Sequence, residues 1–349
     1  MESDLGSRTD AVCGDSDLWL RRQTDLWAKR RQEGEESDSF HNSEGSTAEP
    51  NSLEDSAAEA ASTASRFDAV ADWALPSAVL IFVDWDDTLF PTTWLSSRPA
   101  FEAWVAGKGD AQDVLNDAEA EVLKELDMAA RAFLVAASRL GKVVCVTLAQ
   151  PGWIPSCLDA FMPNLSAAWR ELDVEVHYSS VEKVDTRREI GGGSAACCLH
   201  RTPYDDAEQD AYRVNILANR KQRSMKRALR QFYGKRAAWK NVLSLGDGPF
   251  ERQALQDLAF GHTAAAVRPG DDSATKMRAK TVKMLDSPDC AMLCEELHVL
   301  QAWLPAMTAI DGDFDFSLDS LEEGDLETPC AFLTPRQRAA APRMLEAGI

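Results

Sequence analysis

The chain of 349 residues has no apolar run near the roughly 18 residues that a membrane helix needs. The most apolar segment, Ala78 to Val83, is strand-sized. An excess of basic charge is also missing: 37 Lys and Arg against 57 Asp and Glu give −20. That balance argues against broad binding to nucleic acid or to an anionic membrane. The eight cysteines are irregularly spaced, which excludes a disulfide scaffold and suits a reducing compartment. The first residues, Met1-Glu2-Ser3-Asp4, are acidic and lack a basic stretch followed by an apolar one, so no signal peptide is expected. No internal repeat is evident. These absences point to a soluble intracellular protein, cytoplasmic or also nuclear, with no membrane partner.

What is present is 45% hydrophobic residues, enough for a core, and acidity concentrated at the ends. Residues 1–75 hold 17 Asp and Glu against 7 Lys and Arg, and residues 306–349 hold 9 against 3, leaving about −4 for residues 76–305. The expected organisation is an acidic, mostly disordered region 1–75, a folded domain 76–305 and an acidic tail 306–349. Between Glu33 and Ser65 large apolar side chains are almost absent, so burial cannot offset ordering entropy there. Within 17–31, Leu18, Trp19, Leu20, Leu26 and Trp27 form an apolar face ringed by basic residues. It reads either as a docking helix for a protein partner or as a segment packed on its own domain.

From residue 76 onward short apolar runs alternate with amphipathic stretches. The expected strands are Val79–Trp85, Lys142–Thr147, Val174–Tyr178, Asn241–Leu245 and Ala264–Val267, with helices over Ala111–Leu140 and Lys221–Tyr233. Strands separated by helices imply an α/β fold, a parallel sheet sandwiched between helical layers. Right-handed crossovers would then gather the carboxyl ends of the strands on one edge, where ligands bind.

The first strand runs into Asp84-Trp85-Asp86-Asp87-Thr88-Leu89. Three carboxylates in four residues repel one another unless a cation or proton sits among them. A hard divalent ion such as Mg²⁺, which prefers oxygen ligands, satisfies that arrangement. The second strand ends at Thr147. The fourth leads into Gly246-Asp247-Gly248, a turn that lets backbone approach a ligand, with Glu251 four residues past Asp247. Lys221 opens the expected helix before it, and Lys226, one turn on, competes for the same role. Met225, four residues past Lys221, suits an inward face and favours Lys221.

In this order the residues resemble the four motifs of the haloacid dehalogenase (HAD) superfamily of phosphatases and phosphotransferases, over about residues 79–285. Phe82 to Leu89, Ala149 to Trp153 and Ser244 to Arg252 are similar to a little-described, protist-type branch of HAD-like proteins. The resemblance implies a Rossmannoid three-layer sandwich, in which a cap domain often covers the site; the gap lengths between the motifs leave room for little or no cap. It implies Asp84 as the nucleophile that becomes an aspartyl phosphate and Asp86 as general acid and base. Mg²⁺ would be held by Asp84, the carbonyl of Asp86 and Asp247. Glu251 would hold a metal-bound water or anchor the loop, and Thr147 and Lys221 would hold the transferring oxygens. Asp87 reads as a helix cap or an outer acceptor.

The expected activity is a Mg²⁺-dependent phosphomonoester hydrolase, with a phosphoprotein or a small phosphate ester as substrate. The alternatives are a non-catalytic HAD-fold interaction module and a phosphotransferase. Between Thr88 and Thr147 lie 58 residues and between Thr147 and Lys221 lie 73, too few in either gap for a full cap beside the expected helices; Val181 to Val214 is left as a partial lid. Nine Lys and Arg between Arg220 and Lys240 read as a phosphate-attracting rim, a nuclear-localisation patch, a site for an acidic partner or a solvated helix face. Asp311, Asp313 and Asp315 have calcium-loop spacing, but Phe316 stands where the loop needs Gly, so an acidic extended tail is expected. Gly191 to His200 reads as a polar loop without metal spacing, and Cys290 with Cys294 as packing residues.

Overall fold

A computed structural model describes residues 72–181, 206–234, 239–266 and 277–320. In chain order the elements are β1 (Val79–Val83), α1 (Thr92–Ser96), α2 (Pro99–Val105), α3 (Asp117–Leu140), β2 (Lys142–Thr147), α4 (Trp153–Phe161), α5 (Pro163–Glu171) and β3 (Glu175–Tyr178). They continue with α6 (Asp206–Tyr233), β4 (Asn241–Gly246), α7 (Pro249–Ala266), β5 (Arg278–Lys283), α8 (Cys290–Ala309) and β6 (Phe314–Ser317). All six strands are parallel, in the order β3-β2-β1-β4-β5-β6. The fold is a Rossmann-like α/β sandwich of three layers. In this strand order the chain reverses direction between β1 and β4, opening a crevice at their carboxyl ends.

β1 is buried along its whole length, as expected of a central strand covered on both faces. Leu80, Phe82, Val144, Val146 and Val242 point to one side and pack with Met225 and Leu229 of α6 and Leu255 and Leu258 of α7. α3 and α8 pack against each other over the opposite face. Asn116 starts α3 with a capping box: its Oδ1 accepts from Glu119 N (3.0 Å) while Glu119 accepts from Asn116 N (3.1 Å). Buried Asp127 of α3 accepts from Asn164 N (2.9 Å) and Leu165 N (2.7 Å), capping α5 from a neighbouring helix.

Three expectations are corrected. Ala264–Val267 is not a strand: Ala264 to Ala266 end α7, and Val267 lies outside the described residues. The fifth strand is Arg278–Lys283, whose three cations hide its apolar positions. Each cation is neutralised or bonded. Arg278 pairs with Asp311 (2.6 Å), Lys283 with Asp319 (2.9 Å), and Lys280 Nζ donates to Thr308 O (2.9 Å).

The folded domain does not stop at 305 either. α8 runs to Ala309 and β6 joins the sheet, so residues 306–320 belong to the fold. The acidic spacing read as a tail is the β6 side of that edge. Asp313 accepts from Ala279 N (2.9 Å), and Asp315 accepts from Thr281 Oγ1 (2.5 Å) and pairs with Arg252. At the other end Trp73 precedes the expected start, yet Asn241 Nδ2 donates to its carbonyl (3.3 Å) and the Arg278 guanidinium lies 4.2 Å from its ring centre.

The third correction concerns handedness. β4, β5 and β6 step in one direction across the sheet while α7 and α8 lie on opposite faces, so these two connections have opposite hands. The connection through α8 thus departs from the usual right-handed crossover. Expectations for 17–31 and for Gly191 to His200 lie outside the described residues.

Two outcomes follow for stability. A chain starting at Asp72 should melt cooperatively, and one starting at Pro76 should lose about 1 kcal/mol, a Tm drop of about 2–4 °C by calorimetry, because Trp73 is gone. Burial, helped by Arg278, pushes the Lys280 ammonium well below its ordinary 10.5. The unfolded chain therefore binds that proton more readily, and stability climbs with pH from the lowered value up to 10.5. Lys280→Met, with Thr308 O still bonded by Asn241 Nδ2 (2.8 Å), should be more stable than the parent at neutral pH, with the gap narrowing as pH rises. Denaturant melts showing a pH-independent gap would contradict this.

Candidate active site

Asp84 follows β1 directly, and its N–H donates to Leu245 O (3.0 Å), one step beyond the β1–β4 ladder. This bond fixes the residue at the mouth of the crevice. The chain then folds back tightly: Trp85 O accepts from Leu89 N and Phe90 N, both at 3.0 Å, and Asp87 takes φ 52°. Trp85, wholly buried, stacks on Phe90 (5.5 Å, 11°) and meets Trp169 edge-on (5.5 Å, 86°). Alternation along the extended chain turns Trp85 into the core and leaves Asp84 and Asp86 at the edge.

Lys221 does not open a helix; it lies well inside α6. The Tyr233 hydroxyl fixes the far end of α6, 2.8 Å from Ala78 O and 2.9 Å from Asn241 O, at the start of β1 and β4. Twelve residues back along a helix is about 18 Å, the length of a five-residue strand at about 3.3 Å per residue. The helix therefore delivers Lys221 to the carboxyl edge of the sheet. A buried bond between Ser224 Oγ and Ser179 Oγ (2.9 Å) holds the same register. Lys226, the competing residue, is exposed.

Lys221 Nζ, fully buried, sits 2.8 Å from Asp84 Oδ1 and pairs on its other side with Glu251 Oε1. Glu251 Oε2 is buried with no hydrogen-bond partner. It is packed against Gly246, where an added Cβ would meet Glu251 Cγ at 2.5 Å and Oε2 at 2.9 Å. Gly246 is thus required by close approach. Thr88 Oγ1 accepts from Asp247 N (3.2 Å), tying the β4 loop to the β1 loop.

Burial pushes Asp84 up to about 7, with Lys221 opposing and Glu251 adding to the rise. Asp247 goes up to about 8 through burial, then Asp84 and Glu251. Burial works against the Lys221 charge as well, but Asp84 and Glu251 outweigh it and hold the ammonium above the ordinary lysine range. Asp86 is raised by burial and by Asp84, against hydrogen bonds from Thr92 Oγ1 (2.5 Å) and Trp153 Nε1 (2.9 Å).

The structure thus brings together Asp84, Asp247, Lys221 and Glu251, with Asp86 beside them. Thr147 is buried at the end of β2, where its Oγ1 accepts from Ala149 N (2.9 Å) and shapes the following loop. Asp87 turns away to α1, accepting from Thr93 N (2.9 Å) and Thr93 Oγ1 (2.5 Å), which fits a helix cap. Thr92 and Trp153 were not singled out from the sequence. Trp153 ends the segment Ala149 to Trp153, so its place was visible but its bond to Asp86 was not.

Among the described residues no group of three or more His, Cys, Asp and Glu side chains is arranged to hold a metal ion. The implied Mg²⁺ set is smaller: two carboxylates, a backbone carbonyl and waters, which this ion accepts. The donors fit it, because all are hard oxygens. Burial is the main cause that raises Asp84 and Asp247, Glu251 adds to both and Asp84 to Asp247, and a divalent cation among them would favour the charged forms. Glu251, expected to hold a metal-bound water or to anchor the loop, pairs with Lys221 through Oε1.

Compared with known proteins, the chain matches no family model, no curated protein and no solved structure. Among the described residues no helix is long and apolar enough to cross a membrane.

Gly246→Ala should drive Glu251 off Lys221 and cost about 1–3 kcal/mol. Gly261→Ala, on α7 with nothing within 4 Å of the new Cβ, should instead stabilise by up to about 1 kcal/mol. Thermal melts of the two variants check the contrast.

Proposed function

We propose that the chain is a Mg²⁺-dependent phosphomonoester hydrolase of the HAD type, working through an aspartyl phosphate on Asp84. The observation that carries this reading is a buried carboxylate at the strand-order switch point, paired to a buried ammonium and next to a second raised carboxylate. Asp84 attacks phosphorus, and the electron pair of the breaking P–O bond goes to the ester oxygen. Asp86 gives that oxygen a proton, then takes one from the water that cleaves the acyl phosphate. Lys221 holds Asp84 in place and offers positive charge to the phosphoryl oxygens as their charge redistributes. Thr147 closes the β2 side of the crevice. Mg²⁺ held by Asp84, Asp247 and the Asp86 carbonyl would screen the repulsion between nucleophile and phosphate.

Between β1 and β2 the described residues form two short helices, a 3₁₀ turn and α3, with no separate folded unit over the crevice. With no folded unit inserted between β1 and β2, a bulky ester is admitted on that side, and a phosphoprotein can itself exclude water on docking.

The test is Mg²⁺-dependent hydrolysis of an aryl phosphate by the full chain and by Asp84→Asn. Activity should fall at least about 10³-fold in the variant and disappear with chelator. Failure of the wild type both to turn over phosphate and to bind beryllium fluoride with Mg²⁺ would leave a non-catalytic interaction module. An acyl phosphate that accumulates and passes to an added alcohol would mark a phosphotransferase.

A further inference from the structure

Asp86 is held in an asymmetric way. Trp153 Nε1 donates to its Oδ1 at 2.9 Å and Thr92 Oγ1 donates to the same oxygen at 2.5 Å. No described residue hydrogen-bonds Oδ2. The two donors come from separate elements, one from α1 after β1 and one from the first residue of α4 after β2. Neither donor is needed to satisfy a helix end. Thr92 opens α1, and the Trp153 backbone N–H is already bonded to Gln150 O (3.1 Å).

Trp153 is itself fixed on several sides. Its ring stands edge-on to Phe90 (6.3 Å, 86°) and Phe101 (6.2 Å, 80°) and tilts against Trp104 (6.0 Å, 52°). The chain reaches it through Gly152 in the left-handed region, φ 95°, a conformation that reverses the loop and costs other residues about 1–2 kcal/mol. A large aromatic side chain locked this way loses little further entropy when it makes its one polar bond.

We propose that Trp153 is a positioning residue for Asp86. With Thr92 it pins Oδ1 and so leaves Oδ2 as the oxygen that gives the proton to the leaving group and takes it from water. A carboxylate that serves as acid and then as base needs one oxygen presented to the same point twice. A side chain free to rotate would present either oxygen, or neither. This inference rests on the hydrolase reading above and extends it to residues outside the four motifs.

Positioning of a general acid has a signature that packing alone lacks: it matters more as the leaving group becomes more basic. The experiment compares wild type, Trp153→Phe, Thr92→Val and Asp86→Asn on aryl phosphates from dinitrophenyl to phenyl phosphate, with Mg²⁺. Trp153→Phe keeps a ring in the cluster and removes the N–H. In kcat/KM, which reports only the steps up to phosphorylation of Asp84, it should lose little on dinitrophenyl phosphate and about 10-fold on phenyl phosphate, with Thr92→Val moving in the same sense and Asp86→Asn further. A loss of kcat/KM in Trp153→Phe that is uniform across the series, or no loss at all, overturns the proposal.

If wild type turns over none of these esters, the hydrolase reading fails separately, and the Trp153–Asp86 bond is judged by NMR. Its indole N–H resonance, assigned by its loss in Trp153→Phe, should move in Asp86→Asn, and a resonance that stays put overturns the proposal.

Discussion

The structure depends on how much negative charge can be buried at one point. Asp84, Asp247 and Glu251 meet at the carboxyl ends of β1 and β4 with the Lys221 ammonium among them. An unpaired buried charge is costly and a paired one roughly breaks even, so such a cluster adds little to stability and much to chemistry. Two of its carboxylates titrate far above their ordinary range, which places their protonation near neutrality in the absence of a cation. Raised carboxylates in a crevice are the electrostatic character expected of a site that receives positive charge, which supports the proposed reading.

Much of the remaining architecture serves to place that one ammonium. α6 is tied to the sheet at Tyr233 and, through Ser224, to the turn after β3, and this register brings Lys221 to the crevice. Gly246 brings the β4 backbone against Glu251, so that the second partner of Lys221 comes from the loop after β4. The distant edge follows a different logic. β5 carries three cations: Arg278 and Lys283 pair with Asp311 and Asp319, Lys280 donates to Thr308 O of α8, and Asp313 and Asp315 accept from Ala279 N and Thr281 Oγ1. The sheet is closed on that side by charge pairing where apolar strands would ordinarily do it.

Much of the sheet was legible as apolar runs. β2 has the expected bounds, and β1, β3 and β4 differ by two residues or fewer; the central β1 and β2, buried on both faces, read as near-continuous apolar runs. β5 was not legible because Arg278, Lys280 and Lys283 interrupt its run, and an apolar helix end at Ala264 to Ala266 took its place. The domain end was misplaced for the same reason: acids that pair with β5 look, in sequence, like a solvated tail. Asp84, Asp86 and Asp247 were legible as carboxylates too crowded for packing, and Lys221 as an inward-facing helix position. The bond from Trp153 to Asp86, 67 residues apart, left no local trace.

By itself the sequence determined the class of fold, the strands at the centre of the sheet and the acidic end of β1, since each follows from local pattern and the cost of burying like charges. The tertiary structure alone decided which cation answers those acids, that β5 and β6 close the sheet through ion pairs, that α8 crosses to the opposite face and that Trp153 reaches Asp86. Those outcomes rest on contacts between segments far apart in the chain, where what one residue requires is met by an element that its neighbours in sequence do not specify.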